Sequence, residues 1–171
     1  LFTSDFFKDE PVRYAKVKNP TEMVVSLLRM TGEFKGHQPG LFEASQEPKY
    51  MGMDLMNPPT VEGWHTGREW IDSGTLVERI NFTADQMGNV DLPGVKAIID
   101  RLSSEGVNEP SALVERCLDM VGAYALPEET HSYLVEHIGK SGELKPGTEA
   151  YGGQVAQTLQ LIVATQEYQF A

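Results

Sequence analysis

Two glutamate–histidine pairs, Glu62 with His65 and Glu128 with His131, have the spacing that helical di-iron proteins use to bind metal. Two such pairs and two further glutamates hold a di-metal centre when all project into a four-helix bundle, because residues three apart share a helix face. The first pair falls in a loop rich in proline and glycine, where residues three apart do not share a helix face. The second pair opens a predicted helix, where the helix dipole alone favours acidic residues. We therefore predict no metal site.

A second candidate for chemistry is Gly139-Lys140-Ser141, which has the ending of a phosphate-binding loop. That loop requires a glycine where this chain has Leu134, and a preceding strand where this chain has a predicted helix. The single cysteine, Cys117, lies in an apolar stretch and is predicted to be a small core residue. The chain also has no Gly-x-Ser-x-Gly nucleophile motif. The sequence thus identifies no catalytic residue, and we predict no cofactor.

The segment Asn57–Trp70 is the most unusual part of the chain, because it carries both tryptophans, a double proline and two glycines. Rigid prolines, permissive glycines and large aromatic faces together make a shaped surface. One interpretation is a recognition loop that stacks on a sugar or on a side chain of a partner. The other is an anchored crossover whose tryptophans fill the core, which the usual burial of tryptophan favours. If the loop binds a ligand, we expect Trp64 and Trp70 to stack on it. We expect His65 and Arg68 to make polar contacts with it.

Helix signals dominate the rest of the chain. Asn19-Pro20-Thr21-Glu22 predicts a capped helix start, and Gly32 a helix end. Prolines then mark the first turn of several helices, and Thr148 caps the last one. No segment alternates with the period of two that strands show. We predict an all-α fold, an irregular bundle of about seven helices with little or no sheet. Apart from a short helix within residues 1–18, the predicted helices are 20–32, 41–56, 68–87, 93–104, 110–125, 127–139 and 148–165.

Charge and length limit the partners and the domain organisation. The chain has 14 Lys plus Arg against 25 Asp plus Glu among 171 residues, a formal net charge of −11. Such a charge repels phosphate groups, so nucleic acid and anionic lipid are not expected partners. No apolar run is long enough to cross a membrane, and we predict no membrane insertion. The start at Leu1 suggests a piece cut from a longer protein, in which residues 1–88 and 93–171 are possible lobes.

Four stretches of this chain are similar to motifs of one bacterial family. The pattern Pro-Pro-x-Val-x-Gly-Trp-x-x-Gly-x-x-Trp-Ile, from Pro58 to Ile71, resembles a hallmark of the family known as domain of unknown function 1800. Lys18–Val25, Met51–Pro59 and Leu161–Gln169 resemble three further motifs of the same family. The chain departs from the family pattern at His65-Thr66, where Pro-Gly is common, and at Gln166, where proline is common.

The resemblance implies a longer, helical parent protein, of which this chain is the C-terminal third. Many members of the family look exported, and their genes often neighbour those of another uncharacterised, exported, sulfatase-like family. No catalytic residue is established for the family, so the resemblance transfers none.

Three classes of function remain open on the sequence. We expect a non-catalytic helical module of an exported or envelope-associated bacterial protein, which binds a protein or a polysaccharide. The alternative is part of an enzyme acting on polysaccharides or sulfate esters, with its catalytic groups mainly in an N-terminal region outside this chain. The third is a purely structural piece. Tryptophans exposed in a groove favour binding, buried tryptophans favour a structural role, and close carboxylates with a histidine in a pocket favour an enzyme.

Overall fold

A computed structural model describes residues 3–7, 9, 15–122 and 125–170, and within these ranges the chain is all-α, as the sequence predicts. The described residues form no sheet and only two isolated β-bridges, Val17 with Phe170 and Thr60 with Gly63. No helix in these ranges is both long and apolar enough to cross a membrane. Two short 3-10 helices, Asp5–Phe7 and Gly67–Trp70, accompany eight α-helices: α1 Pro20–Thr31, α2 Leu41–Tyr50, α3 Ser73–Gly88, α4 Pro93–Glu105, α5 Pro110–Val121, α6 Glu128–Lys140, α7 Glu149–Val163 and α8 Gln166–Gln169.

The predicted helix caps are confirmed. Asn19 Oδ1 accepts a hydrogen bond from the backbone N–H of Glu22 (2.8 Å), and Glu22 Oε2 accepts one from the backbone N–H of Asn19 (3.0 Å). Gly32 ends α1 in the left-handed conformation, with φ of 65°. At the start of α7, Thr148 Oγ1 accepts from the backbone N–H of Tyr151 (3.2 Å). These local contacts satisfy backbone groups that helix ends otherwise leave unpaired.

The predicted helix over residues 41–56 is too long. α2 ends at Tyr50, and Gly52 turns the chain with φ of 91°. Pro48 lies inside α2 near its end and is buried. Burial of the proline ring offsets the hydrogen bond that a proline removes from a helix. The methionine-rich stretch therefore belongs to the following loop, which contains Met51, Met53, Leu55 and Met56.

The predicted helix over residues 68–87 is two elements. A 3-10 helix ends at Trp70, and α3 begins only at Ser73. Asp72 stands between them in an extended conformation, and its Oδ1 accepts from the backbone N–H groups of Gly74 (2.8 Å) and Thr75 (2.9 Å). An N-cap aspartate starts a new helix axis, so the helical spacing that relates Trp70 to α3 does not put them on one helix.

Two smaller differences concern the ends of the chain. The short helix predicted within residues 1–18 is the 3-10 helix Asp5–Phe7, and residues 1, 2, 8 and 10–14 lie outside the described ranges. The chain also forms a short last helix, α8, which lies beyond the predicted end of helix 148–165 and was not predicted. Thr165 caps α8 by accepting from the backbone N–H of Tyr168 (3.4 Å).

The core is built around α7, which packs against α3, α4, α5, α6 and α8. Nine residues of α7 are buried, and they occupy most of its circumference. A helix surrounded in this way must be apolar on nearly every face, and α7 has the apolar run Leu159–Val163 with only Gln160 interrupting it. The helices around α7 bury one stripe each, for example Met23, Val24 and Leu27 in α1 and Leu113, Cys117 and Leu118 in α5.

One continuous cluster of buried residues joins the two halves of the chain. It includes Met23 and Met87 from the first half, and Leu113 and Leu159 from the second. At one crossing the backbones touch, because a Cβ added to Gly94 in α4 would lie 2.0 Å from the carbonyl oxygen of Met30 in α1. The proposed division into lobes 1–88 and 93–171 stays a prediction.

Candidate functional site

Trp70 is a core residue. Its side chain is 5 % exposed, at the end of the 3-10 helix Gly67–Trp70. Thr66 and Glu69 cap this helix, with Glu69 Oε2 accepting from the backbone N–H of Thr66 (3.1 Å). The carbonyl oxygen of Trp70 accepts from Thr75 Oγ1 (2.9 Å), which ties the loop to α3. Very little of the indole is accessible to a ligand, as an anchored crossover requires.

Trp64 has a different environment. Its side chain is only half-buried, and its Nε1–H donates to the carbonyl oxygen of Asp54 (3.0 Å). This bond satisfies the polar edge of the indole and fixes the orientation of the ring. The apolar part of the ring lines two adjoining cavities, of about 710 and about 510 Å³. Trp64 is thus the tryptophan of this loop that a ligand can reach.

The loop that carries Trp64 is shaped by residues with positive φ. Gly63 has φ of 107° and pairs with Thr60, to whose carbonyl oxygen its N–H donates (3.1 Å). Met56 is the one described non-glycine residue with positive φ, 64°, and its side chain is 93 % exposed. A bulky residue in the left-handed region costs roughly 1–2 kcal/mol, and the adjoining turn is closed by the Asn57 N–H, which donates to the carbonyl oxygen of Asp54 (3.1 Å). Such strain is concentrated at functional loops.

His65 and Arg68 are both exposed, and only His65 joins Trp64. His65 Nδ1 lies 3.6 Å from Glu69 Oε2, and the His65 ring meets the Trp70 ring edge-on with centroids 6.2 Å apart. Trp64, His65 and Trp70 line the cavity of about 510 Å³ together. Arg68 instead lines a separate cavity of about 440 Å³ beside Ile71, Leu76, Ile80 and Gln169. The structure therefore brings together three of the four residues predicted for the loop.

The larger cavity beside Trp64 is an open groove between the outer face of α1 and the loop of residues 53–64. We call it the α1 groove. One wall is formed by Glu22, Val25 and Arg29, which are spaced three and four residues apart and so share one face of the helix. Met53, Leu55 and Trp64 form the opposite wall, and Lys16 and Lys18 close one end.

Sequence reasoning missed most of this groove, above all Lys16, Lys18, Val25 and Arg29. The sequence of α1 contained a signal for one wall of the groove, the wall that α1 forms. Val25 is an apolar residue on the polar face of an amphipathic helix, and it is 46 % exposed. The opposite wall comes from a loop about thirty residues away, and no local pattern predicts that contact.

Positive charge is concentrated at the Lys18 end of the groove. Lys18 Nζ donates to the carbonyl oxygen of Tyr168 and lies 4.2 Å from the centroid of the Tyr168 ring. Burial and, second, the positive charge of Arg79 lower the pKa of the Lys18 ammonium to about 8, against an opposing effect of Glu22. At neutral pH Lys18 is therefore still mainly charged. Lys16 pairs with Glu22 at the same end of the groove.

Arg79 in α3 supplies a second cation behind Lys18. Its side chain is fully buried, and burial lowers the pKa of its guanidinium to about 10. Nε donates to Gln169 Oε1 (3.0 Å) and Nη2 to the carbonyl oxygen of Lys18 (2.8 Å). Nη1 has no hydrogen-bond partner among the described residues, and none of their carboxylates pairs with this guanidinium. A buried cation without an anion is costly, so the two neutral acceptors must hold it.

The remaining candidates from the sequence are not brought together. Glu62 and His65 line the smaller cavity, whereas Glu128 and His131 lie in the first turn of α6. The described residues contain no group of three or more His, Cys, Asp or Glu side chains arranged to hold a metal ion. Cys117 is buried in α5, where burial raises the pKa of its thiol to about 12. The thiol therefore stays protonated and packs as the small core residue that the sequence predicts.

Comparison with known proteins gives one family. The family model described as "Protein of unknown function (DUF1800)" matches residues 1–170. No curated protein and no solved structure matches the chain.

Proposed function

We propose that this chain, which belongs to the DUF1800 family of proteins of unknown function, is a non-catalytic helical module that binds a protein or polysaccharide partner in the α1 groove. The observation that carries the proposal is the contrast between its two tryptophans. Trp70 fills the core, whereas the half-buried ring of Trp64 lines an open groove of about 710 Å³. As the family resemblance suggests, the parent of this module is an exported or envelope-associated bacterial protein.

The environment of Trp64 supports a binding role. Aromatic anchors in grooves contribute strongly to recognition because they bring large contact area at little cost in conformational entropy. The bond from Trp64 Nε1 to the Asp54 carbonyl oxygen already fixes this ring, so little ordering cost remains on binding. Val25 and Leu55, which are 46 % and 41 % exposed, extend the apolar surface on both walls.

The side chains that could act in catalysis, His65 and Glu69, do not favour the alternative, which is part of an enzyme. His65 and Glu69 are close, at 3.6 Å, but their side chains are 55 % and 65 % exposed. Water screens an exposed pair of this kind, whereas general acid–base catalysis usually depends on groups whose pKa values burial and neighbours have shifted. The groove itself is lined mainly by apolar and cationic side chains.

A site-specific cross-link tests the proposal. A photo-reactive phenylalanine derivative in place of Val25 lies inside the groove, and the same derivative in place of the exposed Tyr133 lies on α6 outside it. After irradiation in an extract of cells that produce the protein, we expect a discrete adduct from position 25 and none from position 133. Mass spectrometry of the adduct then identifies a peptide or a glycan.

The tryptophan provides the control. Adding Trp64→Ala to the position 25 variant should abolish the adduct while the circular dichroism spectrum stays that of a folded helical protein. Equal adduct yields from positions 25 and 133, or a yield that Trp64→Ala does not change, would exclude the groove as the binding site.

A further inference from the structure

Resting on the proposed function, we propose that the occupant of the α1 groove is a segment of another protein in which an acidic side chain stands next to an apolar anchor. The anchor packs on Trp64 and Val25, and the carboxylate faces Arg29, while Lys18 adds positive charge at the other end of the groove. Three properties of the groove support this chemistry: its charge, its apolar walls, and the internal use of its hydroxyl groups.

The charge of the groove is opposite to that of the chain. The chain carries a net charge of −11, yet the described residues that line the groove include three cations, Lys16, Lys18 and Arg29, and a single carboxylate, Glu22. Lys16 pairs with that carboxylate. Arg29 is exposed, and no carboxylate of the described residues forms a salt bridge with its side chain. A cationic patch on an acidic protein directs acidic segments to one place and repels them elsewhere.

Arg79 adds a buried positive charge next to Lys18, at one end of the groove. It is fully buried, donates to the carbonyl oxygen of Lys18 at 2.8 Å, and pairs with no carboxylate of the described residues. Charge in a buried position is screened less by salt than charge at the surface. The Lys18 end of the groove therefore keeps a positive potential at physiological ionic strength.

The hydroxyl protons of Thr21 and Ser26 and the side-chain oxygen of Asn19 are already used within the protein. Asn19 Oδ1 accepts from the backbone of Glu22 (2.8 Å), Thr21 Oγ1 donates to Met53 Sδ (3.3 Å), and Ser26 Oγ donates to the carbonyl oxygen of Met23 (3.0 Å). A neutral sugar would need such groups for its own hydroxyls, because an unpaired polar group loses affinity on burial. The groove offers apolar contact and cations instead, which an acidic peptide with one large apolar side chain satisfies.

Selection from displayed random peptides tests this composition. The face of α1 from Glu22 to Arg29 rises about 10 Å, so peptides of about ten residues are long enough to cover it. The baits are the wild-type chain, Trp64→Ala, Arg29→Glu, and a matched charge reversal, Lys145→Glu, in the exposed loop between α6 and α7. We expect the wild type and Lys145→Glu to enrich peptides with Asp or Glu beside an aromatic or aliphatic residue.

The groove variants give the decisive comparison. Arg29→Glu should weaken binding of the selected peptides about tenfold, Arg29→Gln should weaken it less, and Trp64→Ala should abolish it. Added salt should weaken binding to the wild type. Circular dichroism and the melting temperature show whether each variant is folded before it is compared.

Three outcomes would overturn the inference. Enrichment of neutral or basic peptides that still depends on Trp64 would leave the groove as a binding site and refute its acidic ligand. Binding of polygalacturonate that Arg29→Glu abolishes, without enrichment of any peptide, would assign a glycan instead. Enrichment that Arg29→Glu and Lys145→Glu change equally would show only the effect of net charge. The cross-link from position 25 tests the proposed function independently of all three.

Discussion

Arg79 Nη2 donates to the carbonyl oxygen of Lys18 across 2.8 Å, and through this contact α3 holds the segment that leads into α1. The same guanidinium holds Gln169 of α8, whose Nε2 donates in turn to the carbonyl oxygen of Val163 (2.9 Å). Lys18 and Gln169 also pair directly, backbone N to backbone O, at 3.1 Å. One buried side chain thus joins parts of the chain that are 150 residues apart.

Arg79→Met should destabilise the fold by about 2–4 kcal/mol, because it leaves the Lys18 carbonyl oxygen and Gln169 Oε1 buried without their donor. Urea unfolding followed by circular dichroism measures the change. Arg101→Met removes a more exposed arginine that pairs with Glu105 (3.1 Å) and should cost less than about 1 kcal/mol. Equal losses from the two substitutions would contradict the role given to Arg79.

Gly94→Ala should be strongly destabilising, whereas Gly153→Ala should be neutral or stabilising. A Cβ at residue 94 would lie 2.0 Å from the Met30 carbonyl oxygen, so α1 and α4 must separate, at a cost of roughly 1–3 kcal/mol or more. Gly153 is exposed within α7 and its added Cβ would meet nothing within 4 Å, so alanine gains about 0.5–1 kcal/mol of helix propensity. Thermal melting of both variants checks the sign, and a stable Gly94→Ala protein would show that the two helices do not touch.

The two tryptophans should differ in their exposure to a quencher. With Trp70→Phe, the remaining Trp64 lines the groove, and acrylamide should quench its fluorescence readily. With Trp64→Phe, the remaining Trp70 is 5 % exposed and should be quenched severalfold less. Peptides selected by the groove should protect Trp64 alone. Similar quenching constants for the two variants would place both tryptophans in the same environment, against the structure.

Glu47→Gln should stabilise the protein at neutral pH but not in acid. Burial first, and then the negative charges of Glu78 and Asp85, raise the pKa of the Glu47 carboxyl above its ordinary range. A raised carboxyl pKa means that the folded state binds the proton more tightly than the unfolded state, so stability falls as pH rises between the unfolded and the folded pKa.

Above that window the variant should be more stable than the wild type by under about 1 kcal/mol, and below it the two should converge. Melting temperatures from pH 3 to 7 give the comparison, with Glu43→Gln as an exposed control on the same helix. A constant difference across this pH range would show that Glu47 acts through packing and not through its charge.

The parts of the fold that depend on neighbouring residues could be predicted from the sequence, and the parts that depend on distant ones could not. Asn19 and Thr148 cap helices through bonds to residues three positions later, so a short pattern contains the whole interaction. The boundary at Asp72 was missed although its cap is equally local, because the apolar spacing from Trp70 onward imitated one continuous helix.

The site followed the same division. The composition of residues 57–70 singled out a loop but gave both tryptophans equal weight. Their separation into a core residue and a groove residue depends on two residues outside the motif. The Asp54 carbonyl oxygen accepts from Trp64 Nε1, and Thr75 Oγ1 donates to the Trp70 carbonyl oxygen. The grouping of Lys16, Lys18 and Arg29 around one groove was not predictable, because the groove forms only when α1 lies against the loop of residues 53–64.

The contact of Val17 and Lys18 with Gln169 and Phe170 has a consequence for the order of folding. The helices pack both on their neighbours in sequence, as α5 does on α6, and on more distant helices, as α3 does on α7. The contact between residues 17–18 and 169–170 closes a longer loop than any of these, of nearly the whole chain, and so bears the largest loop-closure entropy. We therefore expect the helices to form and pack first, and this contact to close last. By the same reasoning it is the first to open, so the amide hydrogen of Lys18, which donates to the carbonyl oxygen of Gln169, should exchange before those in the middle of α7.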